Sequence, residues 1–169
     1  GFAIGSYGVI LHTSDGGDNW HQLPFEEDVT LNDLDFLNSR EGWIVGEFET
    51  ILHSTDGGKT WQKQHGDQMG QLFGVDFRNP NQGVVVGTAG KTLLTIDGGK
   101  TWKKIGLDKT EKISRLLLHP DDPDIAYAAA LGTTWGENQE RGVFKTGDGG
   151  KTWEKILYVD KKTGAADLI

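Results

Sequence analysis

The chain has 169 residues, a formal net charge of -8 and no cysteine, which leaves room for one sizeable core and excludes a disulfide frame or a thiolate metal site. Hydrophobic residues make up only 36%, but 25 glycines and 6 tryptophans account for this: turns are numerous and the apolar area comes in large aromatic units. The acidic balance, with its lysines dispersed, excludes the clustered basic surface that nucleic acid requires, and no apolar run approaches the roughly 18 to 20 residues that span a bilayer.

One pattern runs through the whole chain: a hydroxyl residue, any residue, Asp, Gly, Gly, two residues, Trp. It occupies residues 13–20, 54–61, 95–102 and 146–153. The aspartates Asp15, Asp56, Asp97 and Asp148 lie 41, 41 and 51 positions apart, a period that suits one supersecondary unit per copy. Between the copies the same order of short apolar segments returns. Residues 2–5, 9–12 and 20–23 read as the second, third and fourth strands of a first unit whose first strand is missing. The second unit has all four, at 29–36, 43–46, 50–54 and 61–65, and the third repeats it without gaps at 72–77, 83–87, 92–95 and 102–105. In the fourth, at 113–118, 125–131, 142–145 and 153–159, residues 132–141 form an added loop that accounts for the longer spacing.

Four short antiparallel strands in about 41 residues match one propeller blade. The expected fold is therefore an all-β propeller, with a partial blade over 1–25 and blades over 26–68, 69–107 and 108–162. Residues 163–169 would either begin another blade or close the ring against the first. The chain starts without Met and in mid-pattern, and is expected to be part of a larger propeller.

The repeated stretch has the chemistry of a tight turn. Its glycine pair allows positive φ at little steric cost, and the Asp and hydroxyl are short acceptors for amides within the turn. The tryptophans Trp20, Trp61, Trp102 and Trp153 can fold back over it. This pattern resembles the Asp-box, or BNR repeat, of sialidases, xyloglucanases, sortilin-type propellers and photosystem II assembly factors. The second and third units, with Gly42-Trp43-Ile44-Val45-Gly46, look most like the assembly factors. The fourth, with His119-Pro120-Asp121-Asp122-Pro123-Asp124 and then Trp135-Gly136, is similar to sortilin-like BNR proteins. The resemblance implies that the box aspartates and tryptophans are structural and lie away from the ligand face. It also implies an extracytoplasmic protein (periplasmic, secreted or cell-surface), with association to a membrane complex for the assembly-factor branch.

Catalytic signals are weak. Sialidases use an arginine triad, whereas this chain has only Arg40, Arg78, Arg115 and Arg141, and Arg78 aligns with turn residues of the second unit. Seven carboxylates, Glu26, Glu27, Asp28, Glu47, Glu49, Glu137 and Glu140, are available for a glycosidase pair but share no distinctive spacing. His12 and His53 occupy equivalent strand positions, which favours packing over metal binding, and the Gly-Gly-Lys-Thr strings lack the spacing of a phosphate loop. No catalytic residue, cofactor or metal is assigned.

Loops between second and third strands, and between blades, emerge opposite the boxes. That face is expected to carry Tyr7, Phe25-Glu26-Glu27-Asp28, Glu47-Phe48-Glu49, Gln68-Met69 and the insert from Trp135 to Arg141; the candidate binding residues among these are Tyr7, Phe48, Trp135, Glu137, Asn138, Glu140 and Arg141. The expected function is a non-enzymatic scaffold that binds a protein or a glycan there. The alternative is a segment of a secreted glycoside hydrolase, and the oligomeric state is left open.

Overall fold

The computed structural model describes residues 1–66 and 68–168. Asp67, assigned above to the second blade, and Ile169, the last residue of the terminal segment, lie outside the described residues. Fifteen strands form four antiparallel sheets, with no helix among the described residues. The first sheet contains β1 (Phe2–Ile4), β2 (Ile10–His12) and β3 (His21–Gln22). The second contains β4 (Leu31–Phe36), β5 (Gly42–Gly46), β6 (Ile51–Ser54) and β7 (Gln62–His65). The third contains β8 (Leu72–Phe77), β9 (Gly83–Gly87), β10 (Thr92–Thr95) and β11 (Lys103–Lys104), and the fourth β12 (Ile113–Leu118), β13 (Ala126–Ala130), β14 (Gly142–Thr146) and β15 (Glu154–Leu157). Within each sheet the hydrogen-bonded order follows the chain, so each is a meander, and the four are blades of an all-β propeller.

Strand chemistry follows position in the blade. The second strands β5 and β9 are buried on both faces and accordingly read as continuous apolar runs, Trp43-Ile44-Val45 and Val84-Val85-Val86. The fourth strands lie at the outer edge; β3, β7 and β11 are polar, whereas β15 exposes Ile156 and Leu157. In β3 and β11 pairing is limited to two residues, shorter than the four-residue segments read from the sequence, because an edge strand has one hydrogen-bonding neighbour and water on its other side.

The first strands β4, β8 and β12 lie side by side, and each carries a register shift at the same place, between Leu31 and Asp33, Leu72 and Gly74, and Ile113 and Arg115. Aspartates on these strands stitch one blade to the next. Asp33 accepts the amide of Val75 at 3.0 Å, Asp35 that of Phe77 at 2.9 Å and Asp76 that of Leu118 at 2.6 Å. Burial pushes the carboxyls of Asp35 and Asp76 above the usual range, against the opposing effect of those amides. Arg115 of the fourth blade reaches Asp33 of the second at 2.9 Å and lies 3.8 Å from Asp167.

The core is accordingly divided into three layers, one at each blade junction. At the first, Phe2 stacks on Phe36 with centroids 4.9 Å apart and His12 lies tilted against Phe2 at 4.7 Å. At the second, His53, Trp43 and Phe77 stack in sequence at 4.5 and 3.5 Å. Both histidines thus pack as rings on an aromatic neighbour. Burial lowers the pKa of His53, although Glu41 at 3.3 Å opposes this.

Candidate partner-binding face

Each blade has two working ends. At one, the repeated turn closes on itself through the same bonds in all four copies. In the second blade the buried Ser54 hydroxyl accepts the amide of Gly58 at 2.9 Å and donates to Asp56 at 2.9 Å. Asp56 in turn accepts the amide and hydroxyl of Thr60 at 3.0 and 2.6 Å. Thr95 with Asp97, and Thr146 with Asp148, repeat this set. In the first copy Asn19 stands where the others have Thr, and Asp15 accepts its side-chain amide at 2.7 Å. The side-chain bond from Thr60, Thr101 or Thr152, followed by the backbone amide of the same residue, lowers the pKa of Asp56, Asp97 and Asp148 to about 2. The bonds from Asn19 depress that of Asp15 as well. The carboxylates of Asp56, Asp97 and Asp148 are each held by three donors of their own turn, two on one oxygen and one on the other.

The tryptophans pack at the junction with the blade before them. Trp61 sets its edge against Phe2 of the first blade and Phe36 of its own, with centroids 6.4 and 5.8 Å away, and Trp102 against Phe77 of its own blade at 6.2 Å. Trp153 donates to the carbonyl of Ile105 at 2.8 Å. Trp20, with no preceding blade among the described residues, bonds only its own turn at Gly17 and is exposed.

The opposite end is built from hairpins joining second and third strands. Three are two-residue turns with both central residues at positive φ: Tyr7 (60°) and Gly8 (65°), Phe48 (53°) and Glu49 (57°), Ala89 (55°) and Gly90 (62°). Glycine is required at Gly8 and Gly90, where an added Cβ would meet a backbone carbonyl of the interblade connection at 2.3 and 2.2 Å. The second blade departs from this. Both of its turn residues carry side chains in the left-handed region, a conformation that costs an L-residue about 1–2 kcal/mol. Glu49 is buried and ion-paired with Lys91 of the next blade, and its carboxylate lies 3.6 Å from His65. Gly70, at the near edge of the following connection, leaves space for it. The turn thereby holds Phe48 outward, 54% exposed, beside Met69 at 97%. Glu47, Gly70 and Gln71 complete the shallow depression around them.

Tyr7 occupies the position equivalent to Phe48 in the first blade and is 78% exposed. In the fourth blade the insert replaces the short turn. Its guanidinium, Arg141, is 8% exposed and donates to the carbonyls of Leu131, Thr133 and Gly136. Arg141 therefore ties the loop down from beneath and presents no charge to a partner. Asn138 is likewise internal to the loop: its side chain accepts the amide of Glu140, and its own amide donates to Lys161 at 2.9 Å. Glu140 lies 3.8 Å from Lys155, and Glu137 3.6 Å from Lys162. Trp135 stands on this frame with 88% of its surface exposed, so the indole does not anchor the loop; Arg141 does.

Two sets of residues have roles that the sequence alone did not show. Glu49, one of the seven carboxylates considered for a glycosidase pair, is a buried turn support. Asp33, Asp35, Asp76 and Arg115 were not seen as a set, although Asp35 and Asp76 sit one 41-residue period apart. Among the described residues no group of three or more potential ligands is arranged to hold a metal ion.

The family model described as photosynthesis system II assembly factor YCF48 matches residues 1–69, and that described as sortilin, neurotensin receptor 3, matches residues 49–164. No curated protein matches the chain. Among solved structures, YCF48 bound to D1 peptide is 27% identical with a TM-score of 0.64, covering 83% of this chain and 43% of its own. An ancestral GH74 enzyme is 13% identical with a TM-score of 0.72, over 94% of this chain and 22% of its own. The GH74 xyloglucanase from Xanthomonas campestris is 22% identical with a TM-score of 0.57, over 94% and 23%. The chain thus spans less than half of YCF48 and under a quarter of the two enzymes, whose likeness is one of fold. The sortilin match extends over more than half of the chain, which therefore belongs to the Sortilin-Vps10 family of BNR-repeat β-propellers.

Proposed function

We propose that the chain is a non-enzymatic, extracytoplasmic scaffold that binds a protein partner through the hairpin face. The observation that carries this reading is Phe48: an exposed aromatic residue held outward, beside Met69, by a turn with two side chains in the left-handed region. Backbone strain of this kind persists where the surroundings enforce it and is concentrated at ligand clamps. Tyr7 and Trp135 add an exposed aromatic ring in two further blades, and exposed aromatic groups are the usual anchors of protein recognition. The likeness to YCF48 with a bound peptide supports a peptide-like partner over a glycan.

The glycosidase reading needs a carboxylic acid with a raised pKa to protonate a leaving group. On the hairpin face Glu47 is pulled down instead, chiefly by the amide of Thr30 at 2.7 Å, and Glu27, Glu49, Glu137 and Glu140 each face a lysine. The raised carboxyls, Asp35 and Asp76, are occupied with backbone amides between blades. Binding is favoured over hydrolysis on these grounds.

Selection of a displayed peptide library on the immobilised full-length protein tests the proposal. Enriched peptides should lose at least tenfold in affinity for Phe48→Ala and Trp135→Ala while both variants keep the parent melting temperature. Peptides indifferent to both substitutions would reject the hairpin face as the site. Turnover of a glycoside panel by the same preparation would replace the scaffold reading by the hydrolase.

A further inference from the structure

Charge is unevenly divided along the chain. Residues 1–36 hold seven carboxylates and no Lys or Arg, so they carry -7 of the total of -8. The remaining residues, with 17 Lys and Arg against 18 carboxylates, come close to neutral. Three of the seven, Glu26, Glu27 and Asp28, lie on the connection from the first blade to the second.

That connection joins two exposed aromatic turns. Gly8, next to Tyr7, donates its amide to the carbonyl of Val29 at 2.7 Å. Thr30, two residues past Asp28, accepts the amide of Glu47 at 2.9 Å and donates its own to the Glu47 carboxylate at 2.7 Å, which sets this segment beside Phe48. Tyr7, the acidic connection and Phe48 are therefore parts of one surface. Its carboxylates are unequally engaged. Glu27 pairs with Lys63 at 2.7 Å and Glu49 with Lys91, whereas Glu26 and Asp28 are exposed and enter no ion pair among the described residues. Glu47 is held ionised by the Thr30 amide and also accepts from Gln71 at 3.1 Å. At the Trp135 end of the same face the charges offset each other, Glu137 against Lys162 and Glu140 against Lys155.

Exposed rings and unpaired carboxylates call for the same guest. A ring attracts a cation over its face, and a carboxylate receives a guanidinium through two parallel bonds. The depression lined by Phe48, Met69 and Gly70 adds an apolar contact. Building on the protein-partner reading above, we propose that the Tyr7 and Phe48 half of the hairpin face binds a cationic segment of the partner protein. One bulky apolar side chain lies against Phe48 and Met69, and flanking Arg or Lys side chains lie over Tyr7 and against Glu26, Asp28 and Glu47. A second copy of this chain, presenting the same acidic surface, would meet like charge there.

Peptides selected without compositional bias from a displayed library, on the immobilised full-length protein, serve as probes. The enriched sequences should combine Arg or Lys with a Leu, Ile or aromatic residue, and replacing their cations by Gln should weaken binding about tenfold in fluorescence anisotropy. The double variant Glu26→Gln/Asp28→Asn should keep the parent melting temperature, bind the same peptides about fivefold more weakly and show a shallower dependence on salt. Three results would overturn the cationic assignment while leaving the hairpin face as a protein-binding site: enriched peptides that need Phe48 but carry no excess of Arg and Lys, Gln versions that bind as tightly as their parents, or a double variant with parental affinity and salt dependence. Peptides indifferent to Phe48→Ala would overturn the hairpin-face reading itself, and a selection that enriches nothing would overturn both. A dimer in sedimentation that Phe48→Ala dissolves would give the surface to a second copy and reject the cationic partner.

Discussion

The two ends of each blade obey opposite rules. At the box end four turns of nearly identical sequence satisfy their polar groups within a few residues, and their glycines relieve every left-handed position. At the hairpin end no two turns are alike: Tyr7-Gly8, Phe48-Glu49 and Ala89-Gly90 differ, and the fourth gives way to a ten-residue insert. Uniformity marks what every blade needs in order to stand, and variation marks what one blade does that the others do not.

The comparison is sharpened most by the tryptophans, which share a motif and differ in surroundings. Trp61→Ala should cost about 3 kcal/mol, since the ring fills a corner between Phe2 and Phe36. Trp20→Ala, in the exposed copy, should cost under about 0.5 kcal/mol in the same urea titration. Equal losses would mean that the turn itself, and not the preceding blade, sets the value of the ring. Next in size, Ser54→Ala leaves the buried amide of Gly58 without its acceptor and should lower stability by about 1–2 kcal/mol.

At the hairpin end the sign reverses. Phe48→Gly relieves a left-handed side chain and should raise stability by about 0.5–1 kcal/mol while weakening partner binding. A variant both less stable and fully competent to bind would remove Phe48 from the site. The smallest effect at neutral pH is electrostatic. The box aspartates have folded pKa values below the ordinary 3.8, so their contribution is complete above about pH 4 and is lost as pH falls toward about 2. Asp35 and Asp76 act in the other direction: with raised pKa values they favour the fold as they take up protons. Thermal melts of Asp56→Asn should therefore lose part of the wild-type acid sensitivity between pH 4 and pH 2, and those of Asp76→Asn should not.

Much of this fold can be read from the chain because the repeat places equivalent residues in register. The spacing of Asp15, Asp56 and Asp97 locates the strands between them, and the longer interval to Asp148 locates the insert. Contacts across that register are harder to read. Asp35 reaches an amide 42 residues ahead, which is visible only once the blades are stacked, and Arg141 looks like a loop cation until its carbonyl partners are known. The Phe48-Glu49 turn falls between the segments 43–46 and 50–54 read as strands, but its strain is not legible, since nothing in the neighbouring residues announces that glycine is missing from a turn that ordinarily requires it.

Most links in this molecule join a blade to its neighbour, and a stack joined only in that way can open or tighten like a hand fan. The pairing of Arg115 with Asp33 spans two blades at once, along a chord across the inner strands. It works as a strut: its length limits how far the second and fourth blades can swing apart, so the curvature of the arc, as distinct from the strength of its joints, depends on the reach of one side chain.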